Sequence, residues 1–432
     1  MNTATSYAQR NARVSRPERT QVEYFFKSID QLVPRDHRCR LVWRFVQSLD
    51  LERFYCEIIV SDSQAGRSAI APEVLIALWL MATLDAIGSA RKLERCCDTD
   101  LIYRWICGGV SVNHHTLSDF RVFHGEKLNE ILTSSVASLI HQGFVSLEEI
   151  GQDGMRVRAA AGSSSFRRQP TLETLHDEAK KHLEELDGQR QNSDDEDDAN
   201  KPRTRSEAAA ERAAREREAR IARAIAEGEK LREKKGAEED KAKVRTSTTD
   251  PDARRMKMGD GGTRPALNVQ FATDGEARVI VGVEVTNEGT DGGQLVPMLA
   301  QIEERYDRRP EAALVDSAYA TKESVRIAES HGTIVISTVP RSDQLRKHGK
   351  DPHQRQKGDS DQYEAFRQRM ALPENQERYK KRPSIAEFPN ADCRNRGLTQ
   401  FRVRGLLKTK AVVLWHVLAF NLLRMANLGA IS

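Results

Sequence analysis

The sequence predicts an α/β protein: a mixed sheet flanked by helices, with an all-helical N-terminal domain before it and a long helical-hairpin insertion after its first strand. Three observations carry this. Residues 21 to about 146 repeat apolar side chains at three- and four-residue steps, residues 149–157 and 267–285 alternate in steps of two, and Ala312-Ala313-Leu314-Val315 is an unbroken apolar run that ends at Asp316.

The totals set bounds. A chain of 432 residues with 38% hydrophobic content can build more than one domain around a real core, although 31% of it is charged. The net charge of +4 is small, so any affinity for nucleic acid has to come from local basic clusters. Six cysteines (Cys39, Cys56, Cys96, Cys97, Cys107, Cys393) form no C-x-x-C pair, which suits neither a zinc ribbon nor a disulfide framework and makes a reducing cytosol the simplest compartment. Residues 1–20 are polar and carry Arg10, Arg13, Arg16 and Arg19 without an apolar stretch, so they are not a secretory signal. The most apolar window, Ala411 to Leu423, is interrupted by His416 and Asn421 and is shorter than the roughly 20 residues of a membrane span. It reads as a buried helix, and no membrane is expected.

In chain order, Leu41, Val42, Phe45, Val46, Leu49 and Phe54 open the helical pattern, and Pro72 starts a run from Val74 to Ala82 apolar enough for a central helix. Breaks at Gly88, Asp98 to Asp100 and Gly108-Gly109 precede a return of the pattern from Leu117 to Gly143. Arg91, Lys92, Arg95, Arg104 and Arg121 either solvate the outer face of this bundle or mark a helix-turn-helix lying on DNA. His114-His115 has no second ligand cluster beside it and is not read as a metal site.

The texture turns to alternation at Glu149 to Val157, with Asp153 mid-strand, where a carboxylate needs a cation or a partner to offset its desolvation. An insertion follows from Thr171 to Val244. Its first helix lines up Leu172, Leu175, Ala179, Leu183 and Leu186, its second Ala213, Ile221, Ile225 and Leu231, with the acidic run Asp194 to Asp198 as the turn of a protruding hairpin. Leu267 to Phe271 and Val279 to Val285, joined through Asp274-Gly275, read as a β-hairpin. A helix over 293–306, the Asp316 strand, a helix opened by Thr321, and a strand over 333–339 closed by Pro340 complete the sheet, whereas 341–377 reads as a polar surface excursion before a helix over 406–428. The domains expected are 1–146 (helical), 147–170 with 245–432 (the sheet), and 171–244 (the insertion).

The same elements supply a candidate site. Asp316, at the carboxyl end of a buried strand, sits where open α/β sheets place ligands, or else it caps the helix that follows. Asp153 is on the strand expected beside it, and Glu387 is the best third acid. Three hard oxygen donors suit Mg²⁺ or Mn²⁺, and two such ions about 3.5 to 4 Å apart can clamp a phosphodiester from both sides. Arg382, Arg394, Arg396, Arg402 and Arg404, gathered around the last acid, are the forked donors that phosphate oxygens take.

These pieces resemble, in order, the DDE transposases of bacterial insertion sequences: Thr116-Leu117-Ser118-Asp119-Phe120-Arg121, Gly151-Gln152-Asp153-Gly154, Thr249-Asp250-Pro251-Asp252-Ala253-Arg254 leading to Asn268-Val269-Gln270, Val315-Asp316-Ser317-Ala318-Tyr319, and Arg404-Gly405-Leu406 through Asn421-Leu422. The resemblance implies a ribonuclease H-like catalytic domain, with two metal ions held by Asp153, Asp316 and Glu387. It implies double-stranded DNA as substrate (the element's terminal inverted repeats and the target), a homodimer or higher assembly on DNA, and a cytoplasmic, nucleoid-associated bacterial protein. The family's tyrosine, arginine, glutamate, lysine signature falls on Tyr379, Arg382, Glu387 and Arg394. Here the arginine-to-glutamate gap is one residue longer than usual, an arginine stands for the lysine, Phe388-Pro389 replaces Phe-Gly, and Pro383 and Pro389 are expected to disturb a regular helix. The rival functions are a non-catalytic DNA-binding descendant and a metal-dependent nuclease on the same fold.

Overall fold

A computed structural model of the chain describes residues 20, 26–58, 68–191 and 205–431. The arginines of the opening stretch and the acidic run Asp194 to Asp198 lie outside the described residues.

Among the described residues, eight helices precede the first strand, from Ile29–Leu32 to Gly125–His141. Their starts follow local chemistry: Ser28 and Gln31 form a reciprocal capping box, and the Asp100 and Asn113 side chains accept from backbone N–H groups of the helices they open. The helical pattern expected from Leu117 to Gly143 is carried by two helices, His114–Phe123 and Gly125–His141, joined at His124. Pro72–Leu84 is buried at every position but Glu73, which is why its apolar residues run all the way round.

The other central helix comes from the far end of the chain. Leu406–Asn427 packs on Gly125–His141, on Pro72–Leu84 and on the sheet. It is long and apolar enough to cross a membrane, yet its side chains are mostly covered by the rest of the chain, as befits a core helix. Asn421 explains its polar interruption: its Oδ1 accepts from Ile280 N (2.9 Å) and its Nδ2 donates to Ile280 O (2.8 Å), so the side chain completes a strand's backbone pairing. One continuous apolar core runs from Val33 through the sheet to Met425.

Among the described residues, eight strands form two sheets: β1 (Glu149–Arg158), β2 (Phe166–Arg167), β3 (Thr246–Ser247), β4 (Arg254–Lys257), β5 (Thr263–Asp274), β6 (Ile280–Thr286), β7 (Ala312–Val315) and β8 (Ile334–Ile336). In the large sheet the order is β5-β1-β7-β8, with β4 and β6 pairing successive parts of β5. β5 is antiparallel to β1, whereas β1, β7 and β8 are parallel. Asp274 forms the β5–β6 turn, accepting from Ala277 N, Glu276 N and Leu147 N.

The short β2–β3 pair joins the two ends of the inserted segment, Phe166 facing Ser247 and Arg167 facing Thr246. Between them, helices Gln169–Gln191 and Arg205–Glu233 pack along each other. The seam departs from the sequence reading: Leu172, Ala179, Ala214, Ile221 and Ala224 are buried, while Ala213 is exposed and Ile225 half-buried. The second helix is tied to the sheet by Arg223 on Asp252 (2.7 Å), Arg254 on Glu227 (2.6 Å) and Thr246 Oγ1 on Ala224 O (2.7 Å).

Residues 341–377 are not the plain surface excursion expected. They fold into helices Ser342–Lys347 and Asp361–Arg369 and most of Pro373–Tyr379. These are organised by an ion pair between two buried side chains, Arg367 Nε to Asp359 Oδ2 at 2.8 Å. Polar composition hid a polar core.

Candidate active site at the carboxyl end of the central strands

β1 and β7 place the two aspartates. Gln152 pairs with Val315 in the parallel register, and Asp153 and Asp316 are the next residue on each strand. The helix after β7 is capped by Thr321, whose Oγ1 accepts from Ser324 N at 3.1 Å, so the capping alternative for Asp316 falls away. Asp316 is exposed and accepts from its neighbour Ser317 N at 2.6 Å.

The third acid arrives by an irregular turn. Pro383–Glu387 is a π-helix, continued by the α-helix Phe388–Asn395. The prolines do not break the chain; the wider π turn absorbs the extra residue between Arg382 and Glu387 and keeps both on one side. Arg382 donates through Nη1 to Glu387 Oε1 and through Nη2 to Asp153 Oδ1, both at 3.0 Å. One guanidinium thus bridges two of the three acids. Asn390, one helical turn beyond Glu387, donates through Nδ2 to Asp153 Oδ2 at 2.9 Å.

Two glycines make this approach possible. A Cβ on Gly151 would lie 2.7 Å from Ile385 Cγ2, so only glycine lets the π turn lie on β1. On the opposite face, a Cβ on Gly154 would lie 2.4 Å from Asp291 Oδ1 and 2.5 Å from Gln270 Nε2. Gly154 therefore opens space for a buried polar ladder behind the site. Asp291 Oδ1 accepts from Asn268 Nδ2 (2.7 Å) and Gln270 Nε2 (2.8 Å), while Gln270 Oε1 accepts from Tyr319 Oη (2.5 Å) and Gln152 Nε2 (3.2 Å). Alternation in β5 reads as one wet face, but both its faces are buried.

Burial is the main influence on Asp153 and pushes its carboxyl up to about 6; Arg382, the Gly154 N–H and Asn390 oppose the rise, and Glu387 adds to it. A further positive charge beside Asp153 would lower that value and favour the carboxylate.

The predicted arginines divide. Arg382 is buried and turned onto the acids rather than outward. Arg396 is half-buried, held by Asp392 (2.7 Å) and by Leu84 O (3.3 Å). Arg394 is exposed on a cleft of about 390 Å³ shared with Arg156, Arg158 and Arg264, and Arg402 and Arg404 are exposed. Tyr379 lines a cleft of about 710 Å³ with Ser317, beside Asp316. His114 is bonded to Glu94 through Nδ1 (2.9 Å), and the six cysteines are free thiols.

Among the described residues no three His, Cys, Asp or Glu side chains stand in a metal-holding group. The reason is visible: the Arg382 guanidinium occupies the position between Asp153 and Glu387 where a cation would balance both. In kind the donors fit a hard divalent ion. They are carboxylate oxygens, and Asn390 adds an Oδ1 that is buried without a partner. Asn390, Gln152, Gln270 and Asp291 escaped the sequence reading. The Phe388-Pro389-Asn390 and Asn268-Val269-Gln270 triplets held the only signal, polar residues at positions that packing makes internal.

An aspartate midway along β1 beside another just past the end of its parallel neighbour β7, with arginines around them, is the make-up of a protein that handles phosphodiesters. Residues 27–122 match the model of a transposase domain (DUF772) and residues 237–422 that of a transposase DDE domain. The chain belongs to the DDE transposases of insertion-sequence type. The second match spans Asp316 and Glu387, whereas Asp153 lies between the two matched stretches. No curated protein and no solved structure matches the chain.

Proposed function

We propose that this transposase cuts phosphodiester bonds at the ends of its element and joins the freed 3′ hydroxyl to target DNA, with Asp153, Asp316 and Glu387 as its catalytic acids. The observation that carries the reading is the shared guanidinium: Asp153 and Glu387, far apart in the sequence, meet through Arg382 beside the middle of β1, and Asp153 is one register step beyond the Gln152–Val315 pair that leads to Asp316. The strand order, with one antiparallel neighbour on one side of β1 and two parallel strands on the other, supports the ribonuclease H-like reading of the sheet. 

The three carboxylates, with Asn390 Oδ1 beside them, would hold Mg²⁺ or Mn²⁺. Two such ions supply a hydroxide nucleophile near neutral pH and neutralise the leaving oxygen. The chain's own work is positional. β1 and β7 bring the two aspartates to successive register positions of neighbouring strands, the π turn brings Glu387 to the guanidinium that also holds Asp153, and Arg382 keeps those two like charges together while no other cation is bound. The Arg394, Arg402 and Arg404 side chains, exposed beyond the last acid, would take DNA phosphates. Duplex DNA carrying the element's ends, incubated with the protein, Mg²⁺ and a target plasmid, should yield covalently joined products. Cleavage without joining would leave a hydrolytic nuclease.

The Asp153 carboxyl gives this reading a pH signature. Between its ordinary 3.8 and about 6 the folded chain keeps a proton that the unfolded chain has lost, so stability falls as pH rises through that window. A bound divalent ion requires the carboxylate and competes with that proton. Affinity for Mn²⁺, measured calorimetrically, should climb about tenfold per pH unit below 6 and level off above it. An affinity flat from pH 5 to 7 would remove Asp153 from the ligand set.

A further inference from the structure

A second cavity lies away from the acids, where the helical part meets the C-terminal strip. It encloses about 200 Å³, several times the roughly 30 Å³ share of a water molecule. Arg121, Arg396, Arg402 and His416 line it together with Trp79 and Gln400. Among the described residues neither Arg121 nor Arg402 makes an ion pair. Arg121 donates to Gly88 O (2.7 Å) and lies over the Trp79 ring (4.8 Å), and Asp392 neutralises Arg396 alone.

Three guanidinium groups line this space with one carboxylate, Asp392, paired to one of them, so like charges face one another with little compensation. Burial and then Arg402 push Arg121 down to about 10, and burial followed by Arg121 and Arg396 pushes His416 down to about 3. His416 is buried, and its Nδ1 finds no hydrogen-bond partner. A chain that keeps uncompensated positive charge and an orphaned ring nitrogen around an open volume has built a receptor for something it does not itself contain.

We propose that this cavity is a binding site for a single phosphate group, with Arg121 and Arg402 as its main donors and His416 on its floor. The planar, forked donors of arginine match phosphate oxygens, and an anion removes the repulsion that the empty arrangement carries. The phosphate comes either from the backbone of bound DNA or from solution. None of Asp153, Asp316 and Glu387 lines this cavity, so its phosphate binding is read independently of them.

The test uses the full chain and inorganic phosphate, followed by calorimetry against sodium chloride at equal ionic strength, which removes general screening. The expected result is saturable binding of one phosphate per chain. Arg402→Gln, at an exposed side chain whose loss does not threaten the fold, should weaken it at least about tenfold, and Arg308→Gln, at an exposed arginine that lines neither this cavity nor the acid site, should leave it unchanged. No saturable phosphate binding by the unmodified chain, or equal weakening by both variants, overturns the proposal. Adding duplex DNA separates the sources: displacement of phosphate from the unmodified chain assigns the site to a backbone phosphate, and retention assigns it to a free one. Both results uphold the site.

Discussion

Asp153→Asn should lower Mg²⁺-dependent cleavage of end-containing DNA at least about a thousandfold, the scale of removing a directed charge from a reacting centre. DNA affinity should stay within about threefold of the unmodified chain, because losing a negative charge removes no phosphate contact. The two readouts together matter. The amide can still accept from Arg382 at Oδ1, so the loss should reflect missing charge rather than a collapsed site. Asp316→Asn should behave alike, and there the fold is at less risk because the side chain is exposed. Full cleavage by either variant would strike that residue from the catalytic set, and loss of DNA binding in step with cleavage would point to a damaged structure.

The largest stability effect is expected at Arg367→Met. Arg367 Nε meets Asp359 Oδ2 at 2.8 Å, Nη1 donates to Pro352 O at 2.6 Å, and the guanidinium lies 5.0 Å from the Tyr363 ring centre. The Asp359 side chain is fully buried, and Lys322 is its other cation, at 2.8 Å. Removing one partner of a buried pair while leaving the other charged costs about 3–5 kcal/mol, and urea unfolding should register a loss of that order. Burial alone would raise the Asp359 carboxyl, but Lys322, the Gln356 N–H and Arg367 outweigh it and hold it below the ordinary value. The pair's contribution is therefore present above the usual carboxylate range and lost as pH falls through the lowered value. A change under about 1 kcal/mol would mean that the segment 341–379 opens without disturbing the sheet.

Much of this arrangement was legible before any coordinates. Asp153 and Asp316 stood out because each interrupts a strand pattern, one alternating and one continuous, and the register of β1 on β7 places them side by side. Glu387 was legible as an acid but not as a neighbour. Two prolines and an overlong gap argue against a helix, and nothing local in Pro383–Glu387 announces that a π turn will accommodate both. The polar ladder was hidden for a different reason. Asn268 and Gln270 alternate with apolar residues just as a solvent-facing set would, and only the Asp291 loop, distant in sequence, turns that face inward. The same blindness applies to Asp359 and Arg367, eight residues apart in a stretch whose charges otherwise face water. Period and composition report how a segment is made, not what later segment will cover it.

The placement of Leu406–Asn427 bears on how the molecule comes into being. The ribosome makes that helix after the elements it supports, yet Pro72–Leu84, Gly125–His141 and the sheet rest on it, and the Ile280 backbone is satisfied by its Asn421. Until those residues emerge, the apolar surfaces awaiting them stay bare. A nascent polypeptide halted before Leu406 therefore has no finished interior, and the sheet that carries Asp153 is completed only after Glu387 itself has been made.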